Sequence, residues 1–132
     1  LAAQVQEYFD DLDACYRGSD FAITAAGAST LAELACFGLP ALIVPTADLM
    51  WNHQERNAAA FARRTGAPWS TTRAWDVAAL AARLQPLLAD AARLRALATA
   101  FAAAAAPDAA GAVVQACEQL RAGRRPAGSA SG

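Results

Sequence analysis

The apolar positions of the chain fall into two short compact runs and several longer stretches with helical spacing. Residues 21–24 and 41–44 are the compact runs, and their β-branched residues favour an extended backbone, so we predict two buried strands. The longer stretches repeat apolar residues every three or four positions, which predicts helices. The first of these helices is short and ends near residue 17. The others are predicted at residues 30–37, 52–64, 76–84, 87–106 and 109–121.

Turn and capping residues mark the ends of these elements. An aspartate is expected to cap the first helix, and a glycine is expected to end each of three helices. The residues concerned are Asp10 or Asp11 for the cap, and Gly18, Gly38 and Gly66 for the ends. Pro86 is expected to start a new turn. Residues 5–9 are expected to be extended, and residues 67–70 to form a short edge strand.

The strand–helix–strand–helix order predicts an α/β fold, a Rossmann-like parallel sheet with flanking helices and right-handed crossovers. Two or three strands are too few for a complete sheet of this kind, so we expect further strands upstream of Leu1. The domain is predicted to cover residues 1–122. Residues 123–132 are rich in glycine, serine and proline, and we expect them to form a disordered tail.

Composition narrows the classes of function. The net charge is −1, and all 11 basic residues are arginine, so no nucleic-acid partner is expected. Hydrophobic residues make up 56% of the chain, largely as alanine, and no apolar run reaches the about 20 residues of a membrane span. Cys15, Cys36 and Cys117 lie far apart, which indicates neither disulfides nor a zinc site. We therefore expect a globular cytoplasmic protein.

Small and polar residues follow the first predicted strand where the chain enters a helix. Open parallel sheets bind ligands at this edge, and a helix N-terminus there suits a phosphate. Gly27 and Ala28 would let the backbone approach a diphosphate closely. Ser29 and Thr30 add hydroxyl donors, and Glu33 is placed to accept two hydrogen bonds from a ribose diol.

A ligand-free interpretation explains the same residues. Thr30 and Glu33 have the spacing of a capping box, in which each side chain bonds to the backbone of the first helical turn. Gly27 is also typical of a tight turn between a strand and a helix. Spacing alone leaves both interpretations open.

A second polar segment follows the second predicted strand and opens on the same edge. Gln54 and Asn57 are three positions apart on a predicted helix, and amides both donate to and accept from sugar hydroxyls. His53 is a candidate base or hydroxyl contact, although a solvent-exposed helix start with Asn52 as cap is the simpler interpretation. One histidine with scattered carboxylates lacks metal-ligand spacing, so no metal is expected.

Three stretches carry a resemblance to a known family, namely AGASTLAEL at 26–34, GLPALIVP at 38–45 and NHQERNA at 52–58. They are similar to the C-terminal domain of the MurG-type UDP-N-acetylglucosamine transferases, glycosyltransferase family 28, which have the GT-B fold. The resemblance extends from residue 5 to about residue 120. The Gly-Ala-x-Thr-x-x-Glu turn, combined with the later His-Gln-x-x-Asn, is its most specific part.

The resemblance implies two Rossmann-like domains, with the nucleotide-sugar donor held mainly by the C-terminal one. Ala28, Ser29 and Thr30 match the phosphate-binding turn of the family. Glu33 matches its ribose-binding carboxylate. Phe9 lies where the family backbone meets the uracil.

The sugar-binding residues and two departures complete the comparison with the family pattern. Gln54 and Asn57 match the residues that contact N-acetylglucosamine. Ala25 stands where the family often has arginine, and residues 46–52 differ from typical members. The implied contacts of that loop are therefore in question.

The resemblance also implies an activity for the complete protein. That activity is the inverting transfer of N-acetylglucosamine from its UDP donor to undecaprenyl-pyrophosphoryl-MurNAc-pentapeptide in peptidoglycan synthesis, without a metal or other cofactor. The general base and acceptor site are expected in an N-terminal domain that has no counterpart here, so no catalytic residue is expected in this segment. The complete protein is expected to be cytoplasmic and peripheral to the inner face of the cell membrane.

Two alternatives stay open. One is a nucleotide-sugar hydrolase or another UDP-sugar transferase of the GT-B superfamily, because the amide pair favours N-acetylglucosamine without excluding another hexose. The other is a non-catalytic nucleotide-sugar-binding subunit, because the C-terminal half of some split transferases is a separate polypeptide.

Overall fold

The computed structural model describes residues 5–46, 52–70 and 77–123. This part of the chain forms two short strands and six helices. The strands are β1 (Ala22–Thr24) and β2 (Ala41–Ile43). The helices are α1 (Leu12–Arg17), α2 (Ala28–Phe37), α3 (His53–Thr65), α4 (Val77–Leu88), α5 (Ala91–Ala103) and α6 (Ala109–Arg121).

The two strands pair in parallel, with Ile23 opposite Leu42. A parallel bridge between Ile43 and Trp69 adds the segment after α3 to the free side of β2. The predicted parallel sheet with flanking helices is confirmed, and the edge strand predicted at residues 67–70 forms this single bridge. Because the strands are parallel, both chain segments that leave them emerge at the same edge of the sheet.

The main hydrophobic cluster joins α2, α3 and α5 to β2. Leu34, Ile43 and Phe101 are its largest fully buried side chains. Phe61 on α3 meets Phe101 on α5 edge-on, with ring centroids 4.9 Å apart and an interplanar angle of 89°. This arrangement is the one that the aromatic quadrupole favours. The cluster therefore fixes α3, whose first turns carry the polar residues of the candidate site, relative to the sheet.

The boundary between the fourth and fifth helices differs from its prediction. α4 continues through Pro86 to Leu88, and the break falls at Asp90. The carboxylate of Asp90 accepts the N–H of Arg93 at 2.9 Å, so it caps the next helix. Pro86 has no N–H to donate to the carbonyl four residues back, so α4 continues through it with one helical hydrogen bond fewer. The chain breaks instead at the aspartate cap of the next helix. α5 also ends at Ala103, three residues before its predicted end.

The remaining predictions concern the cap of the first helix, the two ends of the chain and the absence of a membrane span. Asp11 caps α1, as expected, by accepting the N–H of Ala14 at 2.9 Å. Residues 5–9 are exposed and form neither a helix nor a strand. The predicted tail, apart from Gly123, lies outside the described residues, as does most of the loop after β2. Within the described ranges, no helix is both long enough and apolar enough to cross a membrane.

Candidate functional site

Gln54 links the two segments that leave the strands at the carboxyl edge of the sheet. Its Oε1 atom accepts the N–H of Ala26, which follows β1, at 3.2 Å. The same atom accepts the N–H of Thr46, which follows β2, at 3.0 Å. Two backbone donors require the oxygen of the amide, so they fix its orientation. The amide nitrogen of Gln54 takes part in neither of these bonds.

Asn57 holds the same turn from one helical turn further along α3. Its Nδ2 atom donates to the carbonyl of Ala26 at 3.1 Å. Ala26 is fully buried, so these bonds pair both of its backbone polar groups in a place that water does not reach. The prediction that Gln54 and Asn57 face the same way is confirmed. Both amides hold the turn that leads into α2, a role that the sequence did not reveal.

The N-terminus of α2 lies directly after this turn. Gly27 is the N-cap, with φ −63° and ψ 137°, and no side chain caps this end of the helix. The first helical bond runs from the N–H of Leu31 to the carbonyl of Gly27, over 3.0 Å. The amides of Ala28, Ser29 and Thr30 therefore have no partner within the helix and lie at the positive end of its dipole.

The capping-box interpretation of this segment is wrong. It requires Thr30 at the N-cap, whereas α2 begins two residues earlier, at Ala28. Thr30 and Glu33 are therefore inside the helix. The tight-turn interpretation of Gly27 is also unnecessary, because its φ and ψ are accessible to any residue.

Glu33 is half-buried in the second turn of α2 and accepts the hydroxyl of Tyr16 at 2.9 Å. Burial of Tyr16 and its bond to Glu33 raise the tyrosine pKa to about 12. The hydroxyl thus remains a donor at any physiological pH. No pattern in the sequence indicates Tyr16 as a site residue, because it lies 17 positions from Glu33 on another helix and no periodicity relates the two.

His53 and Phe9 occupy the margins of the site. His53 is the first residue of α3 and is exposed. Asn52 is at the N-cap position, as predicted, with a left-handed φ of 47°, but its side chain does not cap the helix. Phe9 lies in the exposed segment before α1, two residues ahead of the Asp11 cap, with 38% of its surface accessible.

Among the open cavities of the described part of the chain, two bear on the position of the site. One of about 1080 Å³ is lined by Phe21 and Pro40, which precede the two strands, and so opens at the opposite, amino edge of the sheet. A smaller groove of about 340 Å³ is lined by Ala28 and Asn57 and extends to Arg64. We place the candidate site beside the smaller groove, because the first residue of α2 and one of the two amides, Asn57, line it. Among the described residues, no three His, Cys, Asp or Glu side chains form a metal-binding group.

Comparison with known proteins gives a consistent result. Residues 1–113 match the family model described as the glycosyltransferase family 28 C-terminal domain. One relative, from Thiobacillus denitrificans, is 46% identical over 120 residues, which cover 89% of this chain and 32% of that protein. It is named UDP-N-acetylglucosamine--N-acetylmuramyl-(pentapeptide) pyrophosphoryl-undecaprenol N-acetylglucosamine transferase. A protein of the same name from Pseudomonas fluorescens is 37% identical over 120 residues, with 91% and 34% covered.

A solved structure supports the same relationship. The crystal structure of MurG from Acinetobacter baumannii matches with a TM-score of 0.76 at 28% identity, covering 88% of this chain and 33% of that one. This chain spans about a third of the length of the curated relatives it matches. The predicted family and the α/β fold of GT-B type are confirmed. The matched family model and the shared fold establish that the chain belongs to the glycosyltransferase family 28 C-terminal domains.

Proposed function

We propose that this chain is the donor-binding part of an inverting glycosyltransferase. The complete protein would transfer N-acetylglucosamine from UDP-N-acetylglucosamine to undecaprenyl-pyrophosphoryl-MurNAc-pentapeptide in peptidoglycan synthesis. The observation that carries the proposal is the N-terminus of α2, which has no side-chain cap and is held at the carboxyl edge of the sheet by Gln54 and Asn57. The names of the relatives support the identity of the donor and acceptor.

The helix end suits the leaving group of this reaction. When the bond from the anomeric carbon to the diphosphate breaks, negative charge develops on the UDP diphosphate. The amides of Ala28, Ser29 and Thr30 are directed toward that charge together with the positive end of the helix dipole. These donors are held in place before the reaction, so they stabilise the transition state without reorganisation. They bind and stabilise, and we place the general base and the acceptor site outside this segment.

Each of the remaining site residues would contact a different part of the donor. Glu33 would accept hydrogen bonds from the ribose diol, and the backbone at Phe9 would meet the uracil. Gln54 and Asn57 would contact N-acetylglucosamine through the amide atoms that do not bond to the turn. His53, at the start of the same helix, is a further candidate for a hydroxyl contact. We assign the complete protein to the cytoplasmic face of the cell membrane.

A proline substitution tests the helix end directly. Ala28 is the first helical residue, where proline is tolerated, and Gly27 already has the extended ψ of 137° that proline requires before it. Ala28→Pro therefore removes one backbone N–H and leaves the helix intact. We expect UDP affinity, measured by titration calorimetry on the complete protein, to fall at least about tenfold, as for a lost bond to a charged group.

Ala91→Pro is the matched control, since Ala91 is the first residue of α5 and lines the cavity at the opposite edge. It should leave UDP affinity unchanged. Equal UDP affinities for Ala28→Pro and the parent would contradict the proposed phosphate site.

An assay with the lipid-linked acceptor tests the rest of the proposal. Transfer of N-acetylglucosamine to the acceptor would support it. Release of the free sugar in the absence of acceptor would indicate a nucleotide-sugar hydrolase. Preference for another UDP-hexose as donor would indicate a different UDP-sugar transferase. Binding of UDP without turnover would indicate a non-catalytic subunit.

A further inference from the structure

Tyr16 joins α1 to a residue of the proposed donor site. Its hydroxyl donates to Oε2 of Glu33 over 2.9 Å, and both side chains are half-buried. Glu33 is the carboxylate to which we assign the ribose, whereas Tyr16 has no role in the proposal so far. α1 begins three residues after Phe9, so the bond also ties the proposed uracil segment to α2.

The ring of Tyr16 and its hydroxyl make separate contacts. The ring packs on Phe37 at the end of α2, with centroids 5.2 Å apart and an interplanar angle of 49°. The Arg17 guanidinium lies 5.0 Å from the centroid of the Phe37 ring and is itself held by two bonds to Asp13, of 2.7 and 3.1 Å. α1 buries none of its residues completely, and these ring contacts, which do not involve the Tyr16 hydroxyl, pack it against α2. Removing the hydroxyl alone should leave α1 in place.

A hydrogen bond to one carboxylate oxygen restricts the whole group. A free glutamate side chain samples many rotamers, and a ligand that binds it has to stop that motion at a cost in free energy. A carboxylate has room for about four hydrogen bonds. The bond from Tyr16 occupies one position on Oε2 and leaves Oε1 and the other lone pair of Oε2 as acceptors in a fixed orientation.

We propose that Tyr16 is a positioning residue that orients Glu33 to accept the hydroxyls of the ribose. This inference rests on the proposed function, since it assumes that Glu33 contacts the donor nucleotide. A positioning role predicts that Tyr16 affects the affinity for some nucleotides and not for others. The Tyr16 hydroxyl should strengthen binding of a ribonucleotide and have little effect on a nucleotide that lacks both sugar hydroxyls recognised by Glu33.

The test compares UDP with 2′,3′-dideoxy-UDP, which lacks both hydroxyls of the diol, by calorimetry on the complete protein. The ratio of the two dissociation constants measures the preference for ribose. We expect the parent to prefer UDP at least about tenfold, and Glu33→Ala to reduce that preference to near unity. Tyr16→Phe should lower the preference about three- to fivefold without changing the affinity for 2′,3′-dideoxy-UDP. Tyr16→Phe added to Glu33→Ala should have no further effect, because the residue it orients is gone.

Tyr8→Phe is the matched control, since Tyr8 lies before α1 with 78% of its surface exposed and should leave both affinities unchanged. An equal loss for both nucleotides in Tyr16→Phe would mean that Tyr16 only docks α1, and an unchanged ratio would mean that its hydroxyl does not position Glu33. Either result overturns this inference alone. A Glu33→Ala variant that keeps the preference for ribose would instead overturn the proposed role of Glu33, and this inference with it.

Discussion

The side-chain nitrogen of Asn57 lies 3.1 Å from the carbonyl oxygen of Ala26, and this bond holds the turn between β1 and α2 against α3. An aspartate has nearly the same shape but, when ionised, only accepts hydrogen bonds. Asn57→Asp would therefore set a carboxylate oxygen against the carbonyl of a fully buried residue. We expect the free energy of unfolding in urea to fall by about 1–3 kcal/mol. An unchanged value would show that the turn does not depend on this bond.

Gln54 allows the structural and the sugar-binding roles to be separated with two variants. Gln54→Glu keeps an oxygen that accepts the N–H groups of Ala26 and Thr46, but replaces the amide nitrogen by a second oxygen. It should preserve stability and weaken UDP-N-acetylglucosamine binding. Gln54→Ala removes both bonds and should also lower the free energy of unfolding by about 1–3 kcal/mol. Calorimetry and urea unfolding on both variants measure the two effects, and equal stability losses in the two would contradict the separation.

The pattern of the sequence was sufficient to predict the parallel strands, from the apolar runs and the order of the elements, and the shared face of Gln54 and Asn57, from their spacing. It was not sufficient to predict the start of α2. The residues after Gly27 are all acceptable in a first helical turn, and a cap without a side-chain bond leaves no mark in the sequence. The spacing of Thr30 and Glu33 then favoured a capping box that the structure does not contain.

The bonding partners within the site were beyond sequence reasoning for a different reason. Periodicity gives the face on which a residue lies, but not which backbone group it meets there. The bonds that Gln54 accepts depend on two segments that the sheet brings together, and the bond between Tyr16 and Glu33 depends on how α1 docks. Both result from tertiary packing. The resemblance to family 28 indicated which residues belong to the site, but not how they are held.

Gly27 and Gly38 should respond oppositely to substitution by alanine. Gly27 has φ −63°, and an added Cβ would lie 3.4 Å from Oγ1 of Thr30, which is ordinary contact. Gly27→Ala should change stability by less than about 1 kcal/mol, because a stiffer unfolded chain offsets the poorer N-cap. Its methyl group would occupy the place where we expect the diphosphate to approach, so UDP affinity should fall more than about fivefold.

Gly38→Ala provides the comparison for this pair. Gly38 ends α2 at φ +59°, and its added Cβ would lie 3.4 Å from both Cβ of Ala102 and the carbonyl of Ala98. This variant should lose about 1 kcal/mol or more of stability, with UDP affinity retained. Thermal unfolding and calorimetry measure both properties. If Gly27→Ala binds UDP as tightly as the parent, the diphosphate does not approach the backbone at this turn.

The raised pKa of Tyr16 predicts a loss of stability at alkaline pH. Its pKa is about 12 in the folded protein against the ordinary 10.0, so its contribution is complete below pH 10 and declines as pH rises toward 12. The unfolded chain releases the proton first and is stabilised relative to the folded one. We expect the free energy of unfolding to fall less in Tyr16→Phe than in the parent between about pH 9 and about pH 11. Tyr8→Phe, which changes an exposed tyrosine, should follow the parent. Parallel pH curves for Tyr16→Phe and the parent would mean that the hydroxyl is neither buried nor held by Glu33.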